Sequence, residues 1–274
     1  MTQSVELDPA AFAATFGQSP TRVGHTLAEE ELLSVEALAV LAESLPVSSV
    51  EHNLGNVPTV VPGGEAPRVD MGPGQIARGI ETNGCWMVLK NIEQEPAYRD
   101  LLNRALDDVE EAVGTLEGGM RQREGFIFLS SPGSITPSHT DPEHNLLLQI
   151  RGSKCMEVGS FPDAETRERV LEGQIAGHRN LDCMPHDAQA FELTPGCGIY
   201  VPVHAPHCVT NGPTVSVSLS ITFRTPLAKR QERAVAFNAR LRKLGLSPVV
   251  PGRRPAVDAV KAMAMRTLNS LKIA

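Results

Sequence analysis

Thr136-Pro137-Ser138-His139-Thr140-Asp141-Pro142-Glu143-His144-Asn145 carries the strongest chemical pattern in the chain. In an extended strand, residues two apart point to one face, so His139 and Asp141 offer an imidazole and a carboxylate to the same point in space. That is two metal ligands from three residues. An imidazole from a neighbouring strand would complete a set of two histidines and one carboxylate, which leaves three adjacent positions on an iron ion free. His207, in the later Pro206-His207 pair, is the expected third ligand. By itself His-x-Asp is a common chance pairing on a surface turn, and its meaning comes from what surrounds it.

Lys154 lies fifteen positions after His139, Thr136 three before it and Asn145 six after it, with the apolar run Leu146, Leu147, Leu148 and Ile150 between. A later segment reads Ala205-Pro206-His207-Cys208-Val209. Together these resemble the JmjC-type, cupin-like 2-oxoglutarate oxygenases, most closely the asparaginyl hydroxylases and their bacterial cupin-like relatives, over about Trp86 to Arg224. The resemblance implies iron(II) held by His139, Asp141 and His207, with 2-oxoglutarate as cosubstrate. Lys154 would pair with its far carboxylate through a charge-assisted hydrogen bond, and Thr136 would add a hydroxyl there. Asn145 would orient the metal-bound end. A surface position is the ordinary fate of a lysine, and only its register with His139 sets Lys154 apart. The implied reaction decarboxylates 2-oxoglutarate to succinate and carbon dioxide while hydroxylating a protein, peptide or amino-acid-like substrate. Demethylation uses the same core. The alternative is a cupin-like metal- or ligand-binding regulatory protein without turnover, which would have no need of Lys154.

Two other histidines compete for the metal. His144 stands at odd spacing from His139 and follows Pro142, so it should point away; His204 precedes His207 by three, off the same strand face. The chain departs from the family style at Pro195-Gly196-Cys197-Gly198, where an Asp often follows the turn, and at Cys208, where an aromatic residue is common. Those departures bear on the shape of the pocket, not on its ligands.

With 274 residues, 41% of them hydrophobic, the chain can bury a full core. No run approaches the ~18 apolar residues of a membrane span, and MTQSVELDPA has neither a basic nor an apolar leader region, so a cytoplasmic place is expected. The five cysteines form no C-x-x-C pair, which argues against a disulfide framework and a zinc knuckle. Cys208 reads as a small buried strand residue. No P-loop, dinucleotide-binding glycine pattern or G-x-S-x-G occurs. The net charge of −7 is uneven: from Arg224 onward twelve Lys/Arg face two acidic residues, a net +10, which leaves −17 on the preceding chain. An acidic body repels phosphate, so nucleic acid is a poor partner, and the tail should dock on its own body or on a second copy.

In chain order, Asp8 and Pro9 start a helix over 8–17, and a capping box at Thr26 and Glu29 precedes a second over 30–45. Residues 46–75 read as irregular structure with short extended pieces. A short helix over 75–81, a strand over 85–90 and an amphipathic helix from Pro96 to about Leu116 follow. Short β-rich runs then cover 126–130, 134–139, 145–151, 154–159, 190–193, 198–201 and 214–224, interrupted by a charged helix over 164–174 and by Arg179 and Asn180, possible substrate contacts. Many short strands around the His-x-Asp motif predict a mainly β fold with flanking helices, a double-stranded β-helix or jelly-roll core of the cupin/JmjC kind. Ser216, Ser218, Ser220 and Thr222 would face its interior. Thr225-Pro226 opens a C-terminal helical pair, the first with Leu227, Ala234, Phe237, Leu241 and Leu244 as its stripe, the second over 256–271. The expected division is a helical and irregular region over 1–83, a catalytic core over 84–224 and a basic helical region over 225–274. In the resembling hydroxylases C-terminal helices build the homodimer, which implies the same here.

Overall fold

The computed structural model describes residues 3–55, 59, 70–178 and 180–271. A two-residue strand, β1 (Val5–Glu6), leads to α1 (Pro9–Thr15), where the Asp8 carboxylate accepts from the N–H groups of Ala10 and Ala11 as the sequence predicts. After β2 (Thr21–His25) the second helix begins later than expected. Two 3-10 turns intervene, and Ser34, not Thr26, caps α2 (Val35–Ser44) by accepting from the Ala37 N–H. β3 (Val50–Leu54), α3 (Pro73–Arg78) and β4 (Cys85–Lys90) follow.

The long helix α4 (Pro96–Glu117) buries Leu101, Leu102, Ala105, Leu106, Val109 and Val113 along one stripe. Each large side chain in it contributes about 1.5–3 kcal/mol. Its opposite face carries charge, with Asp107 and Glu110 gripping Arg123 of β5 (Arg121–Ser130). Then come β6 (Ile135–His139), β7 (His144–Arg151), β8 (Lys154–Ser160), α5 (Ala164–Ile175), β9 (His186–Leu193), β10 (Cys197–Val201), β11 (His207–Asn211) and β12 (Ser216–Arg224). The chain ends in α6 (Pro226–Lys243) and α7 (Pro255–Ser270).

The strands form two antiparallel sheets, β1-β2-β10-β7-β12-β5-β4-β3 and β6-β11-β8-β9. The fold is therefore mostly β and cupin-like, with a C-terminal helical pair. Three strands from the N-terminal segment extend the larger sheet, β1 and β2, which the sequence reading does not include, at one edge and β3, within the stretch expected to hold short extended pieces, at the other. They are short and lack the period-2 alternation that would have marked them in the sequence.

β12 separates two environments. Val217, Leu219, Ile221 and Phe223 join the larger core, under α1, α2 and α4, while Ser216, Ser218, Ser220 and Thr222 are also buried, on the opposite face. The Ser218 hydroxyl donates to Gln149 at 2.6 Å and the Ser220 hydroxyl to Asn145 at 2.8 Å. The expected small polar face thus looks into the space between the sheets. A second apolar cluster lies in that space, with Leu147, Met156, Val158, Leu193, Ile199 and Val209.

The C-terminal stripes differ from expectation. α6 buries Ala228, Ala234, Val235 and Asn238, leaving Phe237 and Leu241 half-buried and Leu244 77% exposed. α7 buries Met265 but turns Val260 and Met263 outward. Polar anchors hold α6 instead: Asn238 Nδ2 donates to Glu168 of α5 at 2.6 Å and to the Val249 carbonyl at 3.0 Å, and Arg242 reaches Glu168 and Glu172. Part of the basic tail is docked on its own body.

Candidate active site

β6 and β11 lie side by side in the smaller sheet with His139 directly opposite His207. Paired residues of an antiparallel ladder share a face. Register then carries the argument along: His207, Val209 and Asn211 alternate onto one face of β11 and pair with Val158, Met156 and Lys154 of β8. Since Met156, Val158 and Val209 belong to the inner cluster, His139, His207 and Lys154 all face the interior.

Thr136 poses a problem that the register solves. Three residues before His139 it would stand on the opposite face of a regular strand, but the ladder slips by one residue between His207 and Val209, so that Val209 pairs with Thr136. This β-bulge brings Thr136 back to the inner face, as bulges beside active sites do.

The His139 and His207 rings lie 4.1 Å apart, and their Nε2 atoms are 3.7 and 3.4 Å from Asp141 Oδ2. Asp141 sits just past the end of β6, so the turn and not the strand completes the convergence. One ligand atom from each residue falls within 4.8 Å of the others, and no other trio of His, Cys, Asp or Glu does so among the described residues. Both rings are fixed from behind: His139 Nδ1 lies 2.8 Å from the Pro137 carbonyl and His207 Nδ1 2.9 Å from that of Ala205. A carbonyl only accepts, so Nδ1 carries the proton and the Nε2 lone pairs point at one spot, the arrangement a metal ligand needs. The spacing suits neighbouring positions on an octahedral ion, whose ligands lie about 3 Å apart. Burial works to lower the His207 pKa, yet Asp141 and the Ala205 carbonyl raise it on balance.

Lys154 is 4% exposed, and among the described residues its ammonium has no hydrogen bond or ion pair. Burial alone drags its pKa down to about 7. Its cross-strand neighbour Asn211 also has a buried Oδ1 without a partner among the described residues. An unpaired cation inside a barrel is costly unless an anion joins it, and a carboxylate group satisfies that condition. Asn145, on β7 of the facing sheet, accepts from Ser220, leaving its Nδ2 donors without a partner among the described residues.

The competing histidines are elsewhere. His144 faces the outer core, stacked on Phe16 and Phe223 with Nδ1 2.8 Å from the Tyr200 hydroxyl. His204 stays outside the cluster of ligand atoms; its backbone N–H donates to the Asp141 carbonyl at 2.8 Å. Desolvation, followed by the charge of Arg167, holds its pKa down to about 3. Asn180 bridges to His139 from the free edge of β6 and is exposed, beside the open side of the site, whereas Arg179 lies outside the described residues. Cys208 is buried on β11, its thiol 3.3 Å from Glu157 and pushed up to about 12, first by burial. Asn211 and Arg167 have no local signal in the sequence, one being an asparagine on a short strand and the other an arginine on a charged helix.

A family model described as JmjC domain matches residues 120–230. The X-ray structure of E. coli ycfD is 17% identical, with a TM-score of 0.56 over 98% of this chain and 70% of that one. YcfD, described as a ribosomal oxygenase from Escherichia coli, in complex with cobalt and 2-oxoglutarate is 17% identical, with a TM-score of 0.55 over 97% of this chain and 68% of that one. The same protein with cobalt and succinic acid gives 17% and 0.53 over 97% and 68%. At such identity the likeness is one of fold. No curated protein sequence matches significantly.

Proposed function

We propose that the chain, whose residues 120–230 match a family model described as JmjC domain, is an iron(II)- and 2-oxoglutarate-dependent oxygenase that hydroxylates a protein or peptide side chain. The observation that carries this reading is the buried Lys154 ammonium, without a partner among the described residues, on the same interior face as the His139, Asp141 and His207 cluster. A metal-binding barrel without a dicarboxylate cosubstrate gains nothing from a desolvated cation there.

In this reading His139 and His207 bind the ion through Nε2 and Asp141 through its carboxylate. Bound there, iron(II) and 2-oxoglutarate would let dioxygen serve as the oxidant, one of its oxygen atoms ending in the succinate formed with carbon dioxide and the other inserted into a substrate C–H bond. Lys154 takes the far carboxylate, Thr136 adds a hydroxyl, and the Asn145 amide steadies the metal-bound end. The apolar residues Leu147, Ile199 and Val209 keep bulk water from the interior. The structural relatives crystallised with cobalt plus 2-oxoglutarate or succinic acid support this cofactor set.

Those relatives are described as ribosomal oxygenases, so ribosomal proteins are the first substrates to try; such a substrate would place the enzyme in the cytoplasm. Among the described residues no helix is long and apolar enough to cross a membrane. We divide the chain into an N-terminal region over 1–83, a core over 84–224 and a C-terminal region over 225–274. The outward Val260 and Met263 of α7 support a homodimer. The deciding experiment incubates the protein with iron(II), 2-oxoglutarate and air. Succinate release, with a mass gain of one oxygen on a ribosomal protein or peptide, is the expected outcome; no succinate under any substrate would sink the oxygenase reading.

A further inference from the structure

The side chain of Arg167, on α5, has no hydrogen bond or ion pair among the described residues, although it is half-buried. The carboxylates beside it on α5, Glu168 and Glu172, are taken by Arg242. Facing the same space is His204, only 8% exposed, whose buried Nδ1 has no partner among the described residues. Its backbone sits at φ 62°, in the left-handed region that a side chain with a Cβ disfavours. Such strain persists where the surroundings enforce it and is characteristic of ligand sites.

Both side chains line a cavity of ≈ 210 Å³ between α5, α6 and the loop before α7, with Leu171, Gln231, Val235 and Gly252 as further walls. An abutting cavity of ≈ 230 Å³ shares Leu171, His204 and Val235 and reaches Arg224 and Glu232. Arg224 is already neutralised by Glu143 and Glu232. Among the described residues Arg167 is therefore the cation in this space with no ion-paired carboxylate, feeling only the charge of Glu168, and His204 Nδ1 is a buried ring nitrogen without a hydrogen-bond partner.

We propose that this cavity is a small-carboxylate site, where Arg167 forms the ion pair and His204 Nδ1 the accompanying hydrogen bond. One guanidinium and one neutral donor match a planar monoanion. A phosphate dianion would meet the Glu232 carboxylate at the rim with too few donors to offset it. The carboxylate comes either from a free small acid or from an Asp or Glu side chain of a bound protein. The site uses none of the side chains of the metal cluster and stands whether or not the chain is an oxygenase.

The test follows the Arg167 Nε–Hε and His204 ring signals by NMR in the full-length chain, with Arg167→Lys supplying the assignment. The probes are sodium acetate, N-acetyl-aspartate methylamide, inorganic phosphate and sodium chloride at matched ionic strength. Saturable shifts with acetate are expected, kept in Lys154→Ala and weakened about tenfold or more in Arg167→Gln. Tighter binding of the capped aspartate assigns the site to a protein side chain, and tighter acetate binding to a free acid. No saturation, an equal response to chloride, tighter phosphate binding, or loss of the effect in Lys154→Ala would each overturn the proposal. Arg167→Lys, which keeps the charge but not the planar fork, should bind with intermediate affinity and guards against a folding defect in Arg167→Gln.

Discussion

Lys154 folds into a place that disfavours its own charge. Its pKa falls from 10.5 in the unfolded chain to about 7 in the folded one, so between those values the unfolded state holds more protons and stability rises with pH. The penalty is full below pH 7 and gone above about 10.5. Lys154→Met should therefore raise the melting temperature of the ligand-free protein, most at pH 6 and hardly at all near pH 10.5. The same variant should keep metal but lose 2-oxoglutarate affinity by roughly 30-fold to several-thousand-fold, the counterpart of leaving a carboxylate unpaired at ~2–5 kcal/mol. Unchanged affinity by calorimetry would mean that the barrel holds no such ligand or anchors it from another strand. The metal cluster makes a separate demand: His139→Ala or Asp141→Ala should abolish the binding of one iron(II) per chain, and wild-type affinity in both would refute the ligand assignment.

At the scale of elements, the turn from β7 to β8 decides where Lys154 begins its strand. Gly152 makes that turn at φ 68°, and a Cβ there would come within 2.2 Å of the Val215 carbonyl oxygen. Gly152→Ala should cost more than about 1 kcal/mol in chemical denaturation, from backbone strain and from the clash; a neutral result would show that the 213–215 segment yields freely. Chemistry-bearing residues were legible because pattern and spacing speak locally: His139, Asp141 and Lys154 stand where the motif put them. β11 is not legible: His207 is expected as a ligand from its motif, but no strand is expected there, since His207–Asn211 has a proline before it and little alternation. The capping box at Thr26 failed for a related reason, because Ser34 offered a competing cap nearer the apolar run. Thr136 lay on the right face only by virtue of a bulge, which spacing alone cannot reveal.

On the scale of the whole molecule, α5, α6 and α7 form one stack beside the mouth of the barrel. Gln174 of α5 donates to the Thr140 carbonyl at 2.8 Å, tying that stack to the His-x-Asp turn. Val260 and Met263 are 67% and 69% exposed on its outer side, and covering them is the role a second copy would fill. Light scattering at micromolar concentration should give a dimer for the full chain and a monomer for Val260→Glu/Met263→Glu; a monomeric parent would rule the dimer out. The order of the large sheet carries one more consequence, in time instead of space. β12 is its central seam, joining β5, β4 and β3 on one side to β7, β10, β2 and β1 on the other. During synthesis those two halves can each pair within themselves, but they remain unjoined until residue 224 has left the ribosome, and β2, paired until then with the two-residue β1 alone, waits for its other neighbour until residues 197–200 appear. With so many partners far apart along the chain, this is a protein whose folding should be slow and whose nascent form needs shielding.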